Sequence, residues 1–153
     1  MVLHAEEVSL EYRLKAGYLF NFVKFVEWPP EADSGQLTIC VAGRNPFGNV
    51  LAEIVRGETV NGRELVTRVI LTPDPGCHVV FVPHDVVSTP YLRAARGSPT
   101  LTVGETPGFI AQGGIVNFVR EEGKVRFQIS APAADRAALR ISSHLLRLGR
   151  SAE

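Results

Sequence analysis

The chain has 153 residues, 45% hydrophobic and 21% charged, with 16 basic side chains against 16 acidic ones and a formal net charge of zero at pH 7. That balance excludes a disordered tail, and it excludes the concentrated excess of Lys and Arg with which a protein neutralises nucleic-acid phosphates. One core and a single domain, 1–153, are expected, because a chain of about 150 residues buries roughly 70% of the surface it exposes when unfolded.

In chain order, residues 1–7 carry neither the basic start nor the apolar centre of a secretory signal. Residues 9–27 then mix helix formers and aromatics with charges, and Leu14, Tyr18, Phe22 and Phe25 recur at helical spacing. Tyr12, Leu19, Val23 and Val26 widen the apolar surface past half the circumference, so this helix is expected to be mostly enclosed by the fold or by a second molecule. Arg13, Lys15, Asn21, Lys24 and Glu27 interrupt the run before the roughly 18 apolar residues of a membrane span, so direct insertion into a bilayer is not expected. Trp28-Pro29-Pro30 is expected to stop the helix, since proline removes a donor and pushes the residue before it toward extended geometry.

Residues 37–42 read as a buried strand, followed by a helix to about Arg56 with Asn45 as its cap and Pro46 in its first position. Asn61-Gly62 marks a turn, 65–71 a second strand, Pro73-Asp74-Pro75-Gly76 a tight connection and 78–82 a third strand. A helix is expected over 86–96 and a short strand over 100–103, ending at Gly104. Residues 115–119 should pair with 125–129 across a polar turn holding Glu122-Gly123, with Val125, Phe127 and Ile129 on the buried face. Pro132 opens a last helix whose apolar stripe is Ala134, Ala138, Ile141, Leu145 and Leu148, opposite a basic stripe of Arg136, Arg140, His144 and Arg147; Gly149 falls just past its end. The alternation predicts a three-layer α/β sandwich with a largely parallel central sheet, an antiparallel hairpin at one edge and helices on both faces.

Chemistry is sparse. Gly104, Gly108, Gly113 and Gly114 lack the lysine and hydroxyl pair of a phosphate loop, so Gly104 and Gly113-Gly114 are read as turn glycines supplying positive φ. Cys77, His78, His84 and Asp85 match no usual zinc spacing, and no metal or cofactor is expected. Ser142, Ser143 and His144 lie inside the expected last helix without the turn that presents a nucleophile, and Glu6-Glu7 and Glu121-Glu122 read as solvated. No catalytic residue is assigned. Cys40 and Cys77 allow one bridge; two buried thiols are the reading composition favours, with the bridge competitive in an oxidising compartment. Trp28, beside Glu27, can offer an aromatic wall to a ligand or partner, and Arg147 and Arg150 a counterpart for an anionic group.

Tyr12-Arg13-Leu14-Lys15-Ala16, Leu19-Phe20-Asn21-Phe22, Lys24-Phe25, Trp28-Pro29, Ile39-Cys40-Val41, Gly43, Pro46-Phe47-Gly48 and Cys77-His78 together resemble the YfiR-like periplasmic family. The resemblance continues through Leu101-Thr102-Val103-Gly104-Glu105, Pro107-Gly108-Phe109, Gly113-Gly114, Val125-Arg126-Phe127, Leu139 to Ser143, and Leu145 to Leu148. Ser130-Ala131 and Ala138 depart from the pattern, standing where relatives often carry Asn-containing and Gly-containing sequence. The resemblance implies a non-enzymatic periplasmic domain, its leader removed, that tends to form homodimers. It implies as partner the periplasmic part of a membrane-bound diguanylate cyclase, repressed so that cyclic di-GMP signalling falls, or another membrane sensor. The competing readings are a small-molecule-sensing domain and an enzyme binding a nucleotide or sugar phosphate, with Gly43 to Gly48 meeting an anion at a helix N-terminus.

Overall fold

The computed structural model describes residues 7–30 and 35–151. The expectations for residues 1–6, Glu6 among them, lie outside the described residues. The first helix, α1, spans Leu10–Phe25, with Ser9 as its cap accepting the Tyr12 N–H at 3.3 Å. Its buried line is Lys15, Ala16, Leu19, Phe22 and Val23, while Leu14 is 46% exposed. The inward stripe is thus rotated from the one that Leu14 and Phe25 outlined, and a lysine lies within it. Neither proline ends the helix. Val26 already has φ −118° and ψ 138°, and the Phe25 carbonyl accepts the Ser142 N–H at 2.9 Å as Val26–Glu27 (β1) pairs with Arg140–Ile141 (β9).

The main sheet has eight strands in the order β10-β8-β7-β6-β5-β2-β4-β3. In chain order they are β2 (Gln36–Ala42), β3 (Thr59–Val60), β4 (Arg63–Ile70), β5 (Val79–Phe81), β6 (Leu101–Gly104), β7 (Val116–Glu121), β8 (Lys124–Ile129) and β10 (Arg150–Ser151). The neighbours from β4 through β7 are parallel, and β7 and β8 form the expected antiparallel hairpin. The remaining helices are α2 (Val50–Val55), α3 (Thr89–Ala95), α4 (Ala131–Arg136) and α5 (Ser143–Leu148).

Strand alternation divides the core. Leu37, Ile39, Val41, Val79, Phe81, Leu101 and Val103 face one way, into a cluster completed by α1, α2, α4 and α5. Cys40, Ala42, Val80 and Val82 face the other way, where Tyr91 and Leu92 of α3 and the Phe109 ring cover them. Parallel strands buried on both faces account for the unbroken apolar runs in the sequence. The mixed sheet with helices on both faces is the architecture expected.

Four local expectations give way. Cys40 and Cys77 are not two thiols but one disulfide, S–S 1.99 Å, joining β2 to the segment that leads into its neighbour β5. Asn45 caps no helix: its Oδ1 accepts the Phe47 N–H and its Nδ2 donates to the Gly48 carbonyl, forming a turn that buries Phe47 before α2 begins. The helix after β5 starts at Thr89, with Pro90 in its first turn, and not at 86. The single last helix is two helices with a strand between them. Ala138 takes φ +58°, its N–H reaches the Asp135 carbonyl and the Leu139 N–H reaches the Ala134 carbonyl, the paired bonds of a Schellman stop. Arg136, Arg140, His144 and Arg147 therefore do not share one helical stripe, and Ser142 is a cap, accepting the Leu145 N–H.

Candidate functional site

The carboxyl ends of the parallel strands are where an α/β sheet offers its usual crevice, at the point where successive connections leave in opposite directions. Here that point lies between β2 and β5, because β4 and β5 sit on opposite sides of β2. Gly43, at φ +75°, closes β2, and a Cβ built on it would stand 2.6 Å from Val86 Cγ2. At Gly48 the nearest atom to such a Cβ is Val8 Cγ2, at 3.0 Å. Val86 and Val8 thus stand against the two glycines that bracket residues 43–48.

Glu105 follows β6 directly and turns into the fold. Its Oε1 accepts from Lys15 Nζ at 2.7 Å; its Oε2 accepts the Tyr12 hydroxyl at 2.8 Å and the His84 backbone N–H at 2.8 Å. Lys15 Nζ also donates to Glu11 Oε2 at 2.6 Å, and the two partners of the central pair are only 4% and 3% exposed at their side chains. Burial pushes the Glu105 carboxyl up, but the hydrogen bonds from Lys15, Tyr12 and His84 prevail and hold it below its ordinary range. Burial first, and then Glu105, push the Tyr12 hydroxyl well above its ordinary value, so the phenol remains a donor. Lys15 lies over the Tyr12 and Phe118 rings, 4.9 and 5.5 Å from their centres. The partners of the carboxylate come from α1 and from the loop after β5. The arrangement locks the helix onto the sheet.

Lys15 interrupts the apolar run and, like Glu105, falls in a segment that resembles the family, but nothing local in the sequence pairs the two. The available signal was phase, since Lys15 sits three residues after Tyr12 and four before Leu19 on the inward face. The loop after Glu105 is set in the same way. Phe109 is fully buried, and a Cβ on Gly104 or Gly114 would stand 2.4 or 2.2 Å from its ring. Gly113 does carry positive φ, +108°, but Gly104 and Gly114 are glycines because the ring rests on them.

At the opposite end of the strands Trp28 is half-buried, donating Nε1–H to the His78 carbonyl at 3.2 Å with its ring edge-on to the His78 ring at 6.4 Å. Glu27 is exposed beside it, opposite Arg140 in the β1–β9 register. The two, with Pro29, Leu37, Val60 and Arg63, line a recess of about 270 Å³. Arg147 and Arg150 are not brought to it. Arg147 is exposed on α5 between the exposed Leu146 and Leu148, while Arg150 lies on the strand at the far edge of the sheet, bonded to Glu121 at 2.8 Å. Among the described residues no three of His, Cys, Asp and Glu gather as a metal set, and no helix is long and apolar enough to cross a membrane.

A disulfide-bridged, mixed α/β sandwich whose sequence motifs meet as structural locks is the class these features define. The chain belongs to the YfiR/HmsC-like family (DUF4154), whose sequence profile matches residues 12–150, a family of regulatory periplasmic domains. Among solved structures it is similar to a conserved domain protein from Vibrio cholerae O1 biovar El Tor strain N16961, with a TM-score of 0.54 and 13% identity. That likeness covers 93% of this chain and 60% of the Vibrio chain, and at such identity it concerns the fold alone. A comparison with curated proteins gives no significant match.

Proposed function

We propose that this chain is a periplasmic regulatory domain that works by stoichiometric binding to the extracytoplasmic part of a membrane signalling protein, a diguanylate cyclase that it represses. The observation that carries this is the family match running unbroken through residues 12–150. The Cys40–Cys77 bridge supports an oxidising compartment, where such bonds form and persist. Binding one conformation of the partner better than the other is sufficient for repression, since a ligand shifts an equilibrium by its differential affinity. In this reading Glu27 and Trp28 form an aromatic and acidic wall for the partner, while Arg147 and Arg150 offer cations on a separate surface, Arg147 between two exposed leucines. The acting unit is a homodimer and needs no cofactor.

The test is association of the purified protein with the isolated periplasmic domain of a diguanylate cyclase whose gene adjoins its own, followed by calorimetry and by cyclic di-GMP levels in cells. A dissociation constant of about 1 μM is expected, with Trp28→Ala or Arg147→Glu weakening it by roughly tenfold. No association at that concentration, or an unchanged cyclic di-GMP level on expression, removes the cyclase from the reading. Light scattering that reports a monomer at high concentration removes the dimer.

A further inference from the structure

Among the described residues, α3 is the helix that contributes buried residues to the second face of the sheet, over β2 and β5. Past it, toward α4, that face opens into a cleft of about 620 Å³, within the size range of small-molecule sites. Its floor includes Leu92, Thr102 and Ile115, its walls are largely alanine and glycine, and Arg96 and Arg136 stand among its lining at the ends of α3 and α4. Gly97, Gly113, Arg96 and Arg136 are exposed at its rim. No acidic residue lines it, and among the described residues neither arginine makes an ion pair. Thr102 is buried and its hydroxyl accepts the Ile115 N–H at 3.0 Å; its own proton meets no acceptor among the described residues.

Two guanidinium groups beside one apolar hollow, without a carboxylate between them, form a site for an anion that carries an apolar body. We infer that the cleft between α3 and α4 binds a small organic acid, its carboxylate held by Arg96 and Arg136 and its hydrocarbon part resting on Leu92 and Ile115. The inference is independent of which protein the domain regulates, because the ligand and the readout involve this chain alone.

The experiment is an NMR titration of the whole chain with benzoate, phenylacetate and isovalerate, each set against its primary amide. At least one acid should bind with a dissociation constant below about 10 mM, roughly tenfold tighter than its amide, with shifts centred on residues 92–115 and 133–137. Arg96→Gln and Arg136→Gln should each bring the acid toward the affinity of its amide and leave the amide unchanged. Ala111→Trp, on the exposed rim, should block both by filling the cleft. Should that variant fail to fold, raised salt gives the second measurement, weakening the acid and sparing the amide. The proposal is overturned if no acid binds below that concentration, if the shifts centre elsewhere, or if both arginine variants bind the acid as the parent does.

Discussion

Lys15 and Glu105 show how much a single residue can hold when it is buried with a partner. Removing one member of such a pair costs about 3–5 kcal/mol because the other is left as an uncompensated buried charge. Lys15→Met should therefore lose that much stability in denaturant titrations, and adding Glu105→Gln should restore part of it. A double variant no more stable than the single one would show that the pair is not the coupling unit. The pair also sets an acid limit. Because the folded Glu105 carboxyl is held below its ordinary value of about 4.5, its stabilisation is fully present above that value and disappears as pH falls through the lower folded value. Melting temperatures followed from pH 6 to pH 2 should drop less steeply for Glu105→Gln than for the parent; parallel curves would dismiss the assignment. Ala138 offers the opposite kind of change. It holds φ +58° at a helix stop, where an L residue other than glycine is strained by about 1–2 kcal/mol, partly offset by the entropy glycine loses on folding. Ala138→Gly should raise the melting temperature by about 2–4 °C. A lower one would mean that the Ala138 methyl contributes packing that outweighs the strain.

Elements were legible where period and punctuation agreed. The strands at 37–42 and 65–71, the Asn61-Gly62 turn and the hairpin closed by Glu122-Gly123 all emerged within a residue or two of their observed bounds, because alternation and positive-φ turn residues give local signals. The break in the last helix is hidden from the sequence for a physical reason. Its stop uses Ala138 where glycine would have announced it, and the apolar spacing of Ala134, Ile141 and Leu145 carries across the break by coincidence of period. The glycines after β6 were visible, but not their purpose, since Phe109 meets Gly104 and Gly114 only once the loop has closed. The same limit applies to the candidate sites. Trp28 was visible as a residue and its contact with His78 was not; the Lys15–Glu105 lock depends on residues 90 apart in sequence and was not seen at all. Gly114→Ala should cost about 1–3 kcal/mol by overpacking against the ring. Phe109→Ala alone should cost about 3–5 kcal/mol, and the pair less than the sum of the two, since truncating the ring frees the space the methyl needs. Additive losses in chemical denaturation would separate the glycine from the ring.

For the whole molecule, the decisive link is the one composition argued against. Cys40 lies on β2 at the centre of the sheet and Cys77 two residues before β5; the bridge spans a sequence separation of 37 residues that contains α2, β3 and β4. It thereby ties one half of the sheet to the other at the switch point, on the face that α3 covers. Closing a loop of that length removes conformational freedom from the unfolded chain worth about 4 kcal/mol. For a domain of this size, each kcal/mol moves the melting temperature by roughly 2–4 °C. The Cys40→Ala/Cys77→Ala double variant should therefore melt about 8–16 °C below the oxidised parent, and reductant should lower the parent by a similar amount while leaving the variant unmoved. The comparison separates cross-link from packing, because both thiols are buried and their truncation alone removes little volume. A double variant that melts with the parent would mean that the halves are held by the apolar clusters, and that the compartment's redox state has no purchase on the fold. A variant that melts low but no longer responds to reductant would place the stability of the second face, and with it the cleft beside α3, under the control of this one covalent bond.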